Sequence, residues 1–330
     1  MTSRLLILIA AVAASTPAFA QTRIATLQAA ADVGATVLSP GGDRVAARVG
    51  KDRVVVWSLP DGKLLQDVKV PQRPAAVLFG PADQIIVALA DGAIEVRAIA
   101  SGALVRRMDA TVRQTVLAVS ADGRLLASTG TEQIRLWDGS GKLLRTFGHE
   151  FGGVGSLAFS PDGTLLASAG DDTDVHLWEV STGQRKISLP DRLLSTFAVT
   201  FTADGRNLAI GGASGAIEIV DVKTGSIVRR LRAEKYAVGS ITLSPDGRSI
   251  GASYFDVDGM MRAAPLSVLE LASGRLSRRV TSPGGPAMAA GFTRDGLLLY
   301  VTTKGPELTV WTAPASTSSS GTAQSKSAPK

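Results

Sequence analysis

Side chains able to do chemistry are scarce among the 330 residues of this chain, and that scarcity narrows the reactions open to it. There is no cysteine, which removes disulfides, thiolate catalysis and every Cys-based zinc or iron–sulfur site. Two histidines, His149 and His176, leave little room for a His-rich metal centre. A serine hydrolase needs a serine, a histidine base and an oriented acid, and with two histidines in the chain that base is scarce. Phosphate-cradling Gly-x-x-x-x-Gly-Lys and Gly-x-Gly-x-x-Gly loops are missing as well, and Gly211-Gly212 and Gly284-Gly285 read as turn glycines. The close acids are Asp171-Asp172 and Asp256-Val257-Asp258-Gly259. The second group opens like a calcium loop but lacks the downstream bidentate glutamate, so both are expected to be polar turns. The residues therefore predict no catalytic group, no metal and no cofactor.

What positions these few groups is a repeat near forty residues. A Ser/Thr-x-Asp-Gly turn recurs with its glycines at Gly123, Gly163, Gly205, Gly247 and Gly296, at intervals of 40, 42, 42 and 49. Two degraded copies precede it, Ser39-Pro40-Gly41-Gly42 and Gly80-Pro81-Ala82-Asp83. A second turn keeps the same beat at Gly62, Gly102, Gly141, Gly183, Gly225 and Gly274. Between the markers lie short apolar runs bounded by residues that accept the backbone of tight hairpins, which gives four antiparallel strands per repeat. Such a sheet cannot bury both faces alone, so the sheets must stack radially as a propeller.

At the ends of the third runs stand Trp57-Ser58, Trp137-Asp138, Trp178-Glu179 and Trp311, and Gly148-His149 precedes one repeat. These residues resemble the WD40 repeats, over residues 37–311. The resemblance implies an all-β, seven-bladed propeller whose N-terminal strand, residues 23–28, completes the last blade. It also implies a buried hydrogen-bond chain of His149, Ser168, Asp172 and Trp178, which by position only one repeat can make in full. Arg97, Val220 and Leu269 replace tryptophan in three repeats, and every blade but the one with the full set is expected to rely on apolar packing. In this divergence the chain is similar to the YncE- and TolB-like bacterial propellers as much as to the eukaryotic pattern.

Three features remain. His176 occupies a position held elsewhere by Arg135, Glu95 and Glu218, and a place that takes both signs is expected to be solvated. The interval from Gly247 to Gly274 carries an insertion between the second and third strands. Its residues Tyr254, Phe255, Asp256, Asp258, Met260, Met261 and Arg262 form the candidate partner-binding loop, because aromatic and methionine side chains at a loop tip cost solubility unless they pack or bind. It opens on the same face as the loop holding His149. The fourth runs are basic: Arg106-Arg107, Lys142 with Arg145, Arg185-Lys186, Arg229-Arg230 with Arg232, and Arg278-Arg279. They are expected to girdle the rim with almost no acid, protecting strand edges and offering weak contact to an anionic envelope surface.

Residues 1–20 read as a signal peptide, with Arg4, an apolar run over 5–14 and Ala18-Phe19-Ala20 before the cut. A periplasmic protein is expected, with residues 21–314 as the propeller and 315–330, rich in Ser, Thr, Ala and Lys, as a disordered tail. Setting aside Arg4, Lys326 and Lys330, the net charge of +6 falls to about +3, too little for a nucleic-acid binder. The expected function is a monomeric, non-catalytic platform for a periplasmic protein or peptide. The alternative is a lactonase- or quinoprotein-like propeller with its site at the central channel.

Overall fold

The computed structural model describes residues 21–110, 116–130, 133–148, 153–170, 174–189, 195–255, 265–281 and 287–313. They form seven four-stranded antiparallel sheets, and no helix is among them. In six blades the strands follow chain order from the inside outward; blade 1, for example, is Val33–Leu38, Arg44–Val49, Arg53–Ser58 and Leu64–Lys69. The inner strands of consecutive blades touch, and that of blade 7, Ala287–Phe292, returns to that of blade 1, which closes the ring. Blade 7 takes its outer strand from the other end of the sequence: Thr22–Gln28 pairs antiparallel with Glu307–Thr312, with Leu27 opposite Leu308 and Ala25 opposite Val310. The seven blades and the sealing strand are those the repeats imply.

Turn chemistry sets the register. In the first hairpin of blade 4, Ser160 donates to Asp162 Oδ1 at 2.6 Å while Leu165 N donates back to Ser160 Oγ at 2.9 Å. Gly163 closes that turn at φ +70°, a conformation that a Cβ penalises. Thr202 with Asp204 and Ser244 with Asp246 repeat the arrangement. Blade 2 has lost both serine and glycine, and there Ala82 and Asp83 themselves sit at φ 50° and 61°.

The core lies between blades. One cluster joins Ala167 and Leu177 of blade 4 to Phe201, Leu208 and Val220 of blade 5, and equivalent clusters fill the other seams. Burial follows radius: the third strand Val175–Glu179 is buried along nearly its whole length, whereas only one of six residues in the outer strand Leu143–Gly148 is. Gly211, expected in a turn, instead lies inside the strand Asn207–Gly212. A side chain there would begin 2.5 Å from Val238, so glycine is what lets blades 5 and 6 approach.

Candidate functional site

Three tryptophans tie third strands to second strands. The indole Nε1 donates from Trp178 to Ser168 Oγ at 2.9 Å, from Trp137 to Ser128 Oγ at 2.9 Å and from Trp311 to Thr302 Oγ1 at 3.0 Å. Register places the hydroxyl: Ser168 is opposite His176, Ser128 opposite Arg135 and Thr302 opposite Thr309, each two residues before its tryptophan and so on its face. Blade 1 has Ala47 at this place and no hydroxyl to offer Trp57. Blades 3 and 7 thus carry polar ties where apolar packing alone was expected. A Ser or Thr nine or ten residues before Trp was the signal available in the sequence. Of the expected four-residue chain, Ser168 and Trp178 are joined; His149 and Asp172 lie outside the described residues.

The position two before tryptophan is not solvated. His176 is 3% exposed, in hydrogen-bond contact through Nδ1 with Ser188 Oγ at 2.9 Å and set edge-on to Trp178. Glu95 and Glu218 are buried as well. The mixed signs reflect a partner supplied by the strand outside: Glu95 receives Arg107 Nη1 at 3.0 Å, with Arg97 Nε of its own strand at 2.8 Å, and Glu218 receives Arg230 Nε at 3.0 Å. A buried carboxylate is tolerated because it is paired and hydrogen-bonded.

The rim is corrected in the same way. Arg107 and Arg230 are spent on these acids, and Arg279 meets Glu234, a buried residue on the connection into blade 6 that the sequence reading passed over. Arg278 is 9% exposed, and burial holds its guanidinium below the ordinary arginine range. Arg232 donates to the Ser214 carbonyl. The belt is therefore neither uniform nor free of acid.

The insertion begins later than expected. Tyr254 and Phe255 belong to the strand Ser249–Phe255, opposite Val238 and Ala237. Tyr254 is a core residue of the seam between blades 5 and 6, in a strand and not in the loop, and burial pushes its phenol pKa up to about 12. Phe255 is half-buried and stands edge-to-face with Phe197, ring centroids 5.1 Å apart. Phe197 is the second residue of the inner strand Thr196–Phe201, so the pair sits on strands at the channel mouth of the loop-bearing face. Asp256, Asp258, Met260, Met261 and Arg262 lie outside the described residues. The other mouth opens on a recess of about 480 Å³ lined by Leu38, Pro40, Phe201, Leu243, Pro245 and Phe292 among others. Among the described residues no three His, Asp or Glu side chains converge as a metal would require.

Residues 141–179, the turn and strands of blades 3 and 4 that hold Trp178, match the family "WD domain, G-beta repeat". A stretch covering 24% of this chain is 33% identical over 82 residues to the nuclear distribution protein PAC1 of Tuber melanosporum (strain Mel28). That stretch is 18% of the fungal protein's length. Among solved structures, a chain of a mitotic checkpoint complex superposes with a TM-score of 0.77 at 20% identity, over 96% of this chain and 100% of that one. The chain is thus a seven-bladed β-propeller carrying a WD40 repeat. The relative that carries this likeness is a eukaryotic WD protein.

Proposed function

We propose that this chain is a secreted, periplasmic propeller of the divergent bacterial kind, a non-catalytic monomer that holds a protein or peptide on its loop-bearing face. WD40 propellers are as a class interaction scaffolds, and the checkpoint chain that shares this fold was solved within a protein complex. The observation that carries the reading is the Phe197–Phe255 pair. Two aromatic rings are held by strands at the channel mouth, and the longest insertion of the ring grows directly from one of them. Rigid aromatic anchors of this sort give binding energy at little cost in ordering. Export rests on the character of residues 1–20.

The test is a crosslinked pull-down from the native envelope with the mature protein, the deletion of residues 255–261, and F197A. One protein recovered with the intact chain and lost with both variants supports the platform. A partner retained by both moves the site elsewhere, and recovery of none, with a metal found by elemental analysis, favours the propeller enzyme.

A further inference from the structure

The rim is lopsided. Blades 6 and 1 have outer-strand charge that is buried or paired: Arg278 lies within the seam, Arg279 is held by Glu234, and Arg53 on the neighbouring strand answers Asp67. Blades 1 and 6 expose one outer-strand aliphatic each, Leu64 and Leu276, and blade 5 exposes Ile227 and Val228; blades 2 and 3 are the adjacent blades that each expose two. In the outer strand Leu104–Asp109, Leu104 and Val105 are each 48% exposed. In Leu143–Gly148, Leu143 and Leu144 are each 43% exposed. Lys142 and Arg145 flank the second pair, both exposed, and neither side chain makes an ion pair among the described residues. Asp109 is the one acid on these two strands and is taken by Arg107.

The two strands make one surface. The stem of Arg106 crosses the seam, its Cδ 3.5 Å from where a side chain would begin on Gly141, the residue before Lys142. Arg145 repeats this against Gly183 of blade 4, with its Cδ at 3.4 Å. Aliphatic side chains and unpaired cations are thus interleaved on a convex edge. Neither outer strand exposes an aromatic side chain, the feature that anchors a protein interface. Aliphatics that can enter the acyl boundary, beside cations at the headgroup level, are what an anionic bilayer surface rewards.

We propose that the outer edge of blades 2 and 3, centred on Leu104, Val105, Lys142, Leu143, Leu144 and Arg145, docks on an anionic phospholipid bilayer and holds the ring edge-on. The occupant follows from charge complementarity together with the aliphatic exposure, and the proposal stands independently of the protein-binding role.

The experiment is co-sedimentation of the mature chain with phosphatidylcholine vesicles, with and without phosphatidylglycerol. Binding is expected with the anionic vesicles only. The pair Lys142→Gln and Arg145→Gln should weaken it about 25-fold, from about fivefold for each cation removed. The pair Leu143→Ser and Leu144→Ser should weaken it as well, and the blade 5 pair Val228→Ser and Arg229→Glu should leave it unchanged. All these sites are exposed, and unaltered melting temperatures establish that the variants fold. Equal binding to neutral vesicles, or loss through the blade 5 pair alone, overturns the proposal. Sensitivity to the charge variants without sensitivity to the serine variants also overturns it and points to a soluble polyanion such as a polysaccharide.

Discussion

Glu234 reaches Arg279 across 45 residues of sequence with two parallel hydrogen bonds, Nε to Oε1 at 2.7 Å and Nη2 to Oε2 at 2.9 Å. The carboxylate leaves blade 5 and is buried; the guanidinium stands on the outer strand of blade 6 and is 58% exposed. Ser267 adds a weak third bond at 3.3 Å. One pair thereby staples the connection between two blades.

The two halves of that staple are not equivalent. Arg279→Ala strands a buried carboxylate and should cost about 3 kcal/mol, the range for breaking a buried pair. Glu234→Ala leaves a guanidinium that water can reach and should cost about 1–2 kcal/mol. Urea unfolding of both variants checks the order, and an equal or reversed order would contradict the burial argument.

Ser168→Ala deprives the Trp178 indole of its acceptor inside the core. An unsatisfied buried donor costs about 1–3 kcal/mol, and Ser128→Ala should behave alike toward Trp137. Replacing both partners in one blade, Ser168→Ala with Trp178→Phe, should cost less than the sum of the single changes. Thermal unfolding of the four proteins makes the comparison.

Acid should weaken the ring through its turns. The Ser160 hydroxyl, with the backbone N–H and hydroxyl of Thr164, holds the Asp162 carboxyl below the usual carboxylate range; Asp122, Asp204 and Asp246 are held low first by Ser120, Thr202 and Ser244. A carboxylate with a depressed folded pKa contributes stability that is complete above its unfolded value and is lost as pH falls through the folded one. The melting temperature should therefore change little on this account from neutral pH down to about 4 and decline below that. Ser160→Ala should make the acid decline shallower by returning Asp162 toward its ordinary titration, which NMR titration of the carboxyl can follow.

Ala82→Gly should stabilise. Ala82 is exposed and holds φ at 50°, where a Cβ is penalised, and glycine relieves this at some cost in the unfolded chain. The net gain should be about 0.5–1 kcal/mol. The opposite change one blade on, Gly123→Ala, puts a Cβ 2.6 Å from Pro81 and should destabilise.

How much of this was legible depended on distance along the chain. The hairpins are local, and Ser160, Asp162 and Gly163 announce them within four residues, so blade count and strand order could be read directly. Charge pairing is not local in the same sense. Glu95 and Arg107 lie 12 residues apart on facing strands, and Glu234 and Arg279 lie 45 apart. Comparing one position between repeats showed alternating signs at Glu95, Arg135 and Glu218, whereas the informative comparison was between each acid and the strand outside it. His176 was misjudged for the same reason, its partner Ser188 being the clue. At the candidate loop, composition puts Tyr254 and Phe255 in the insertion, whereas both belong to the strand Ser249–Phe255. Pairing with Val238 extends the strand past the residues whose composition looked like loop.

The strand Thr22–Gln28 has no place to go until Glu307–Thr312 exists. Tyr300 reaches Gln21, 279 residues away, at 2.7 Å through its hydroxyl, and that bond lies beside the same joint. During synthesis this strand must wait for that partner while six complete blades are made after it. Its alternation of exposed threonine and arginine with buried alanine and leucine is that of a segment able to remain in water in the meantime. The two ends of the propeller also share one fate, because loss of either opens the same gap, and the ring acts as a check that all seven blades have been delivered.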